Sequence, residues 1–234
     1  MPMLLKPEKR REALAILKQT YPEAKPALHF STPYELLTAT MLSAQCTDKM
    51  VNKVTEVLFA RANTPEQMQS LSYEELCGYI HSCGFYRMKA QHILETAGIL
   101  VERFNGEVPS DREDLEALPG VGRKTANVVL SNAFHIPAIA VDTHVFRVSN
   151  RIGLAEASTV EKTEKQLMEH IPREDWSDAH HWLIYHGRQV CASQRPKCQN
   201  CPLQSLCDYY NNKKQRRETG NRRYTCSFWI RYVL

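Results

Sequence analysis

The stretch Leu118-Pro119-Gly120-Val121-Gly122-Arg123-Lys124-Thr125-Ala126 decides how this chain is read. Helical spacing precedes it from Arg112 to Ala117 and follows it from Asn127 to Phe134, so it joins two short helices through a hairpin. Two of the chain's nine glycines fall in this one turn. Glycine tolerates backbone that other residues avoid and lays no side chain over nearby amides. Gly120 and Gly122 are therefore expected to allow the tight turn and to leave N–H groups uncovered at the start of the second helix. Those donors and the helix dipole favour an anion, and a DNA phosphate fits. An ordinary helix–helix corner is the competing reading of the motif taken alone.

Outward from the hairpin, helix starts recur as a Ser or Thr followed three residues later by Glu or Gln. In that pattern the hydroxyl caps the first turn and the later side chain reaches back. Thr32/Glu35, Thr64/Gln67, Ser72/Glu75, Ser110/Glu113 and Ser158/Glu161 all fit. Pro33 and Pro65 follow two of these caps at the first helical position, where a missing N–H costs nothing. Helical apolar spacing comes next, as in Leu36, Leu37, Thr40, Met41 and in Val51, Val54, Val57, Leu58. The predicted fold class is all-α. Only Ile136 to Val148 has a β-branched, alternating look, which leaves a short strand or an extended connector open.

With 234 residues and 43% hydrophobic content, the chain can bury a core in one large domain or two small ones. It shows no signal-peptide pattern and no stretch near the roughly 18 apolar residues of a membrane span, so a soluble, cytoplasmic protein is expected. The net charge of +4 is unevenly spread, because residues 211–234 carry seven Lys or Arg against Glu218 alone. The rest of the chain is slightly acidic. Bulk charge would not draw DNA to it, so local geometry must. The polar run from Asn211 reads as a solvated basic tail.

Lys124 lies at the positive end of the second hairpin helix, beside Arg123. An ammonium is no nucleophile, and the dipole, the neighbouring cation and burial would each favour the free amine. Asp142, in Ala140-Val141-Asp142-Thr143-His144, is a candidate acceptor for its proton and a stabiliser of developing positive charge. The plainer readings are a phosphate contact for Lys124 and a helix N-cap for Asp142. Gln45, in Leu42-Ser43-Ala44-Gln45-Cys46-Thr47-Asp48, and Phe85, in Cys83-Gly84-Phe85-Tyr86, sit at short turns between helices. A polar side chain and an apolar wedge on neighbouring loops can fill the space left by a flipped base. Capping for Gln45 and core packing for Phe85 are the bland alternatives.

Eight cysteines in a reducing compartment point away from disulfides. Cys46, Cys77, Cys83 and Cys226 are scattered and read as small buried or incidental thiols. The others, Cys191-x6-Cys198-x2-Cys201-x5-Cys207, suggest one metal centre, and spacing alone leaves zinc and [4Fe-4S] both open. Arg195 and Lys197, between the first two of them, offer phosphates a basic face. His180, His181 and His186 are read as packing and supporting residues rather than ligands.

From about residue 8 to residue 210 the chain resembles the endonuclease III family of DNA glycosylases. Leu42-Ser43-Ala44-Gln45, the hairpin, Ala140 to His144 and the four-cysteine spacing stand in that family's order. The resemblance implies a bifunctional enzyme of base-excision repair. It would remove oxidised or ring-saturated pyrimidines and then act as an AP lyase by β-elimination through a lysine Schiff base. It implies Lys124 and Asp142 as catalytic residues and a [4Fe-4S] cluster on Cys191, Cys198, Cys201 and Cys207. Gln45, Phe85, Gly120, Val121, Gly122, Arg123, Arg195 and Lys197 would contact DNA.

Two helical lobes with a DNA-binding cleft between them are also implied. One, 26–136, is a helical barrel with its helix-hairpin-helix at about 112–134; the other joins 1–25 to 137–210 and carries the cluster. Lys124 and Asp142 would face each other from opposite lobes. The expected partner is double-stranded DNA holding damaged pyrimidines or abasic sites, met by a monomer without a membrane. In the wedge turn, where bacterial members of the family commonly have aliphatic residues, this chain has Cys83 and Phe85. Related adenine-excising enzymes lack a lysine at the hairpin. A non-catalytic hairpin module leaves Lys124 and Asp142 unexplained, and an electron-transfer protein explains only the cysteines.

Overall fold

The structure, a computed structural model, describes residues 3–212. The basic tail expected from residue 211, with Cys226, lies outside the described residues from 213 onward. The described residues form helices and no strand, and they separate into two units. One is 26–140; the other joins residues up to Lys25 to those from Val141 onward.

Helix α1 (Pro7–Thr20) belongs to the second of these units. The unit 26–140 holds α2 (Pro33–Ser43), α3 (Asp48–Arg61), α4 (Pro65–Gln69), α5 (Tyr73–Ile80), α6 (Tyr86–Phe104), α7 (Arg112–Glu116) and α8 (Arg123–Ala133). Helix α2 is its centre. Every residue from Tyr34 to Leu42 is buried, and the helix packs against α3, α6 and α8. Helices α4 and α5 cover α6, and α7 lies on α8. Leu36, Leu37, Leu58, Met68, Ile93, Leu100 and Leu115 are among the core side chains fully withdrawn from water.

In the second unit α1 packs on α11 (Trp176–Gln189), which also packs on α9 (Thr143–Ile152); α10 (Val160–His170) packs on α9. Helix α9 turns Val145, Val148 and Ile152 inward. A Lys18 to Asp175 ion pair at 2.9 Å joins α1 to the turn before α11. Lys18 is largely exposed, so this pair contributes little to stability.

Caps explain where the helices start. Thr32 accepts from the Glu35 amide, Thr64 from that of Gln67, and Ser72 with Glu75 forms the full reciprocal box. Two starts differ from expectation by one residue. Asp111, not Ser110, caps α7, accepting from the amides of Glu113 and Asp114; Thr159, not Ser158, caps α10, accepting from that of Lys162. Each displaced serine has a second capping residue beside it, which takes the amides instead. The stretch Ile136 to Val148 holds no strand: it runs as an open connector to Asp142 and is helical from Thr143. Among the described residues, no helix is long and apolar enough to cross a membrane.

The cap at α7 is directly testable. Asp111→Ala should destabilise the protein by about 1 kcal/mol, the usual effect of losing an N-cap. Ser110→Ala should cost less than half of that in the same urea titration followed by circular dichroism.

Candidate active site and DNA-contacting loops

The hairpin between α7 and α8 turns on one glycine. Gly120 has φ +74°, and a Cβ there would stand 2.7 Å from Nδ1 of His92. Gly122 has φ −95° and ψ 175°, ordinary extended backbone, and nothing lies within 4 Å of where its Cβ would be. The turn therefore requires Gly120 alone, and the expectation that both glycines permit it is corrected. As N-cap of α8, Gly122 brings no side-chain acceptor to the first turn, a helix end whose dipole favours an anion. Val121, counted among the DNA contacts, points inward: its side chain is buried and its N–H donates to Leu118 O at 3.1 Å. It anchors the turn.

Lys124 is the second residue of α8, and its side chain is exposed. Arg123, at the first position, is exposed as well. Asp142 is half-buried and is the N-cap of α9, with Oδ1 accepting from the Val145 amide at 2.7 Å. The capping reading thus holds, and that bond engages one of the two carboxylate oxygens. In the same turn Arg147 donates to His144 Nδ1 at 3.1 Å, and burial, ahead of the opposing Asp142 charge, holds His144 below its usual range.

Gln45 and Phe85 are both exposed and both in left-handed backbone, at φ 51° and 57°. Neither follows its bland alternative: Thr47, not Gln45, caps α3, and Phe85 is 61% exposed. Their loops touch, since a Cβ on Gly84 would lie 3.3 Å from Gln45 O. A side chain that sequence reasoning passed over holds them. Lys89 of α6 is buried and donates from Nζ to Leu42 O at 2.7 Å and Ala44 O at 2.6 Å, closing the carbonyl end of α2. The available signal was a lysine on the stripe Lys89, Ile93, Thr96, Leu100, whose other members are buried.

The four clustered cysteines are free thiols that line one cavity with Ile152, Val190 and Pro196. Among the described residues, no three His, Cys, Asp or Glu side chains converge closely enough to hold a single metal ion. Burial pushes Cys207 up to about 12 and also raises Cys201, so these sulfurs are costly to ionise without a cationic partner. Two arginines that the sequence did not single out fix the loop. Arg151 donates to Ala192 O and Ser193 O at 2.7 and 2.9 Å, and Arg147 donates to Cys191 O and Gly187 O at 3.1 and 3.0 Å. Arg195 and Lys197 stand exposed on that loop. His180, His181 and His186 are buried, and burial brings His181 down to about 3 and His186 to about 4. His186 lies 3.5 Å from Cys201 Sγ through Nε2 and 3.0 Å from the Tyr21 hydroxyl through Nδ1.

A glycine-turned hairpin before an exposed lysine, on an all-helical scaffold, defines a helix-hairpin-helix protein. Residues 38–173 match the HhH-GPD family, described as HhH-GPD superfamily base excision DNA repair protein. Endonuclease III of Escherichia coli strain K12 is 51% identical over 201 residues, covering 86% of this chain and 95% of that one. The Bacillus subtilis endonuclease III is 52% identical over 188 residues, covering 80% and 86%. Among solved structures, a trapped endonuclease III–DNA covalent intermediate superposes with a TM-score of 0.86 at 47% identity, covering 90% of this chain and all of that one. This chain belongs to the endonuclease III family of DNA glycosylases and AP lyases, within the HhH-GPD superfamily.

The two hairpin glycines should separate in mutagenesis. Gly120→Ala should cost at least about 1–2 kcal/mol, the left-handed penalty for a residue with a Cβ, before its clash with His92 is counted. Gly122→Val should leave the melting temperature nearly unchanged yet weaken binding to damaged and undamaged duplexes alike. A selective loss on damaged duplex would make the hairpin a base reader.

Proposed function

We propose that this enzyme excises oxidised or ring-saturated pyrimidines from duplex DNA and cleaves the resulting abasic site through a Schiff base on Lys124. The observation that carries this reading is the exposed lysine in the first turn of α8, a helix capped by a glycine without a side-chain acceptor. Support comes from a solved relative at 47% identity that was trapped as a covalent DNA intermediate.

The chemistry follows from the residues. Backbone donors at the start of α8, with Arg123, hold a phosphate independently of sequence. Gln45 and Phe85 take up the space vacated as the damaged nucleotide leaves the stack. The free amine of Lys124 attacks C1′, the C1′–N bond breaks, and the base departs with a proton. The C1′–O4′ bond then breaks as the second N–H proton passes to O4′, opening the sugar to an imine; removal of a C2′ proton expels the 3′ phosphate, and water releases the enzyme. Asp142 accepts the lysine proton and stabilises positive charge on the sugar. Both groups must reach one nucleotide when DNA is bound.

In this reading 26–136 is the hairpin-bearing lobe, and 1–25 with 137–210 is the lobe that holds a [4Fe-4S] cluster. The donor set suits that group: four thiolates from one short segment share a cavity, and iron supplies the positive charge that buried sulfurs require. When bound, the cluster pins the loop bearing Arg195 and Lys197, whose side chains then meet backbone phosphates.

Borohydride trapping on a thymine-glycol duplex tests the nucleophile. Lys124→Ala should abolish the covalent adduct and leave duplex affinity largely intact, whereas Asp142→Asn should slow single-turnover excision by at least about 100-fold. Trapping that survives Lys124→Ala moves the nucleophile elsewhere; excision by the wild type with no trapping makes the enzyme monofunctional.

The cluster is tested separately. Wild-type protein prepared without air should carry iron and labile sulfide, and Cys198→Ser should lose them together with DNA affinity. Stoichiometric zinc with no iron would falsify the assignment.

A further inference from the structure

Cys46 and Cys83 read from sequence as small buried or incidental thiols, and Cys83 is buried; the fold also brings their two loops together. Cys46 immediately follows Gln45, and Cys83 comes two residues before Phe85. Their loops meet where Gly84 approaches Gln45 O, and each thiol lies within electrostatic reach of the other. Lys89 lies within electrostatic reach of both sulfurs while its Nζ holds Leu42 O and Ala44 O. The pair is thus a dithiol built into the contact between two loops, beside a buried ammonium.

We infer that Cys46 and Cys83 are a reversible peroxide-sensitive pair, whose disulfide displaces the loops bearing Gln45 and Phe85. The effect on excision rests on the DNA-contacting roles proposed above for those two residues; formation of the bond does not.

Exposure decides the order of events. Cys46 is partly accessible, and Cys83 is 1% exposed. Burial, with the neighbouring Cys46 adding to it, pushes Cys83 up to about 11, so Cys83 waits as a thiol. Hydrogen peroxide from solvent oxidises the Cys46 sulfur to a sulfenic acid and leaves as one water. The Cys83 sulfur then attacks the Cys46 sulfur, forms the S–S bond and displaces the hydroxyl as a second water. Two thiols lose two electrons and two protons, and the peroxide takes both. A small dithiol reverses the step by thiol–disulfide exchange.

Closing a thiol contact to an S–S bond of about 2.05 Å draws the two loops together. There is little slack, because the Gly84 backbone is already close to Gln45 O and Lys89 fixes the far side of the first loop. The turn that presents Phe85 must therefore shift.

The test uses the full-length protein with a few equivalents of hydrogen peroxide, alkylation of remaining thiols and mapping of non-reduced peptides. A linked pair of peptides containing Cys46 and Cys83 is expected, absent from Cys46→Ser and from Cys83→Ala. Single-turnover excision should fall several-fold in oxidised wild type, recover with dithiothreitol, and fall much less in either variant. Iron content measured in parallel separates this loss from oxidation of the clustered cysteines. Full alkylation of Cys46 and Cys83 after peroxide overturns the proposal, as does a loss of excision equally large in both variants. If wild type excises nothing before oxidation, the proposed function fails, while the peptide map still decides whether the disulfide forms.

Discussion

Gly120 stands in backbone that only glycine enters without strain, pressed against the ring of His92. The direction in which α8 leaves the hairpin depends on that one turn. Were the turn to relax, Val121 would lose its place against the core, and the first-turn amides with Arg123 and Lys124 would point elsewhere. Farther along α8, buried Asn127 donates from Nδ2 to Ile139 O at 3.0 Å, and so fastens the connector that runs on to Asp142. The constraint at Gly120 thus reaches the lysine directly and the connector through the body of one helix.

Elsewhere, buried or half-buried cations do the positioning. Lys89 binds the last carbonyls of α2, Arg151 binds Ala192 O and Ser193 O, and Arg147 binds Gly187 O near the end of α11. Each meets peptide oxygens that would otherwise be unsatisfied where a helix or loop ends. A buried cation held only by dipoles would be expensive to bury without such bonds. The same bonds fix the loop ahead of Gln45 and the loop after Cys191. The loops proposed to contact DNA are therefore held from inside, and Gln45, Phe85, Arg195 and Lys197 on them are exposed.

Local features were legible in the sequence and remote ones were not. Helix periodicity, the caps at Thr32, Thr64 and Ser72, and the hairpin depend on residues a few positions apart, so one chain suffices to read them. The caps at Asp111 and Thr159 were misplaced because two adjacent capping residues compete and spacing alone does not rank them. Gly122 looked like a turn residue because glycine signals both unusual backbone and an uncovered amide, and only φ tells these apart. Lys89 was missed because its partners lie on another helix, and the contact between Cys46 and Cys83 likewise exists only once two loops have met.

The exposure of Lys124 changes how the proposed chemistry must be organised. Removing water from a lysine favours the amine over the ammonium, and burial within the fold would do so. The free chain instead leaves the side chain in solvent. On the proposed reading, the bound duplex must supply the desolvation, covering α8 as its phosphate settles on the helix end. The negative phosphate works in the opposite direction, since it favours the ammonium. On the same reading Asp142, as the proton acceptor, resolves that conflict: it takes the proton just ahead of attack, so only a transient amine is needed. An enzyme arranged in this way keeps its nucleophile quiet in solution, because the covering surface and the reacting carbon arrive together on the same molecule.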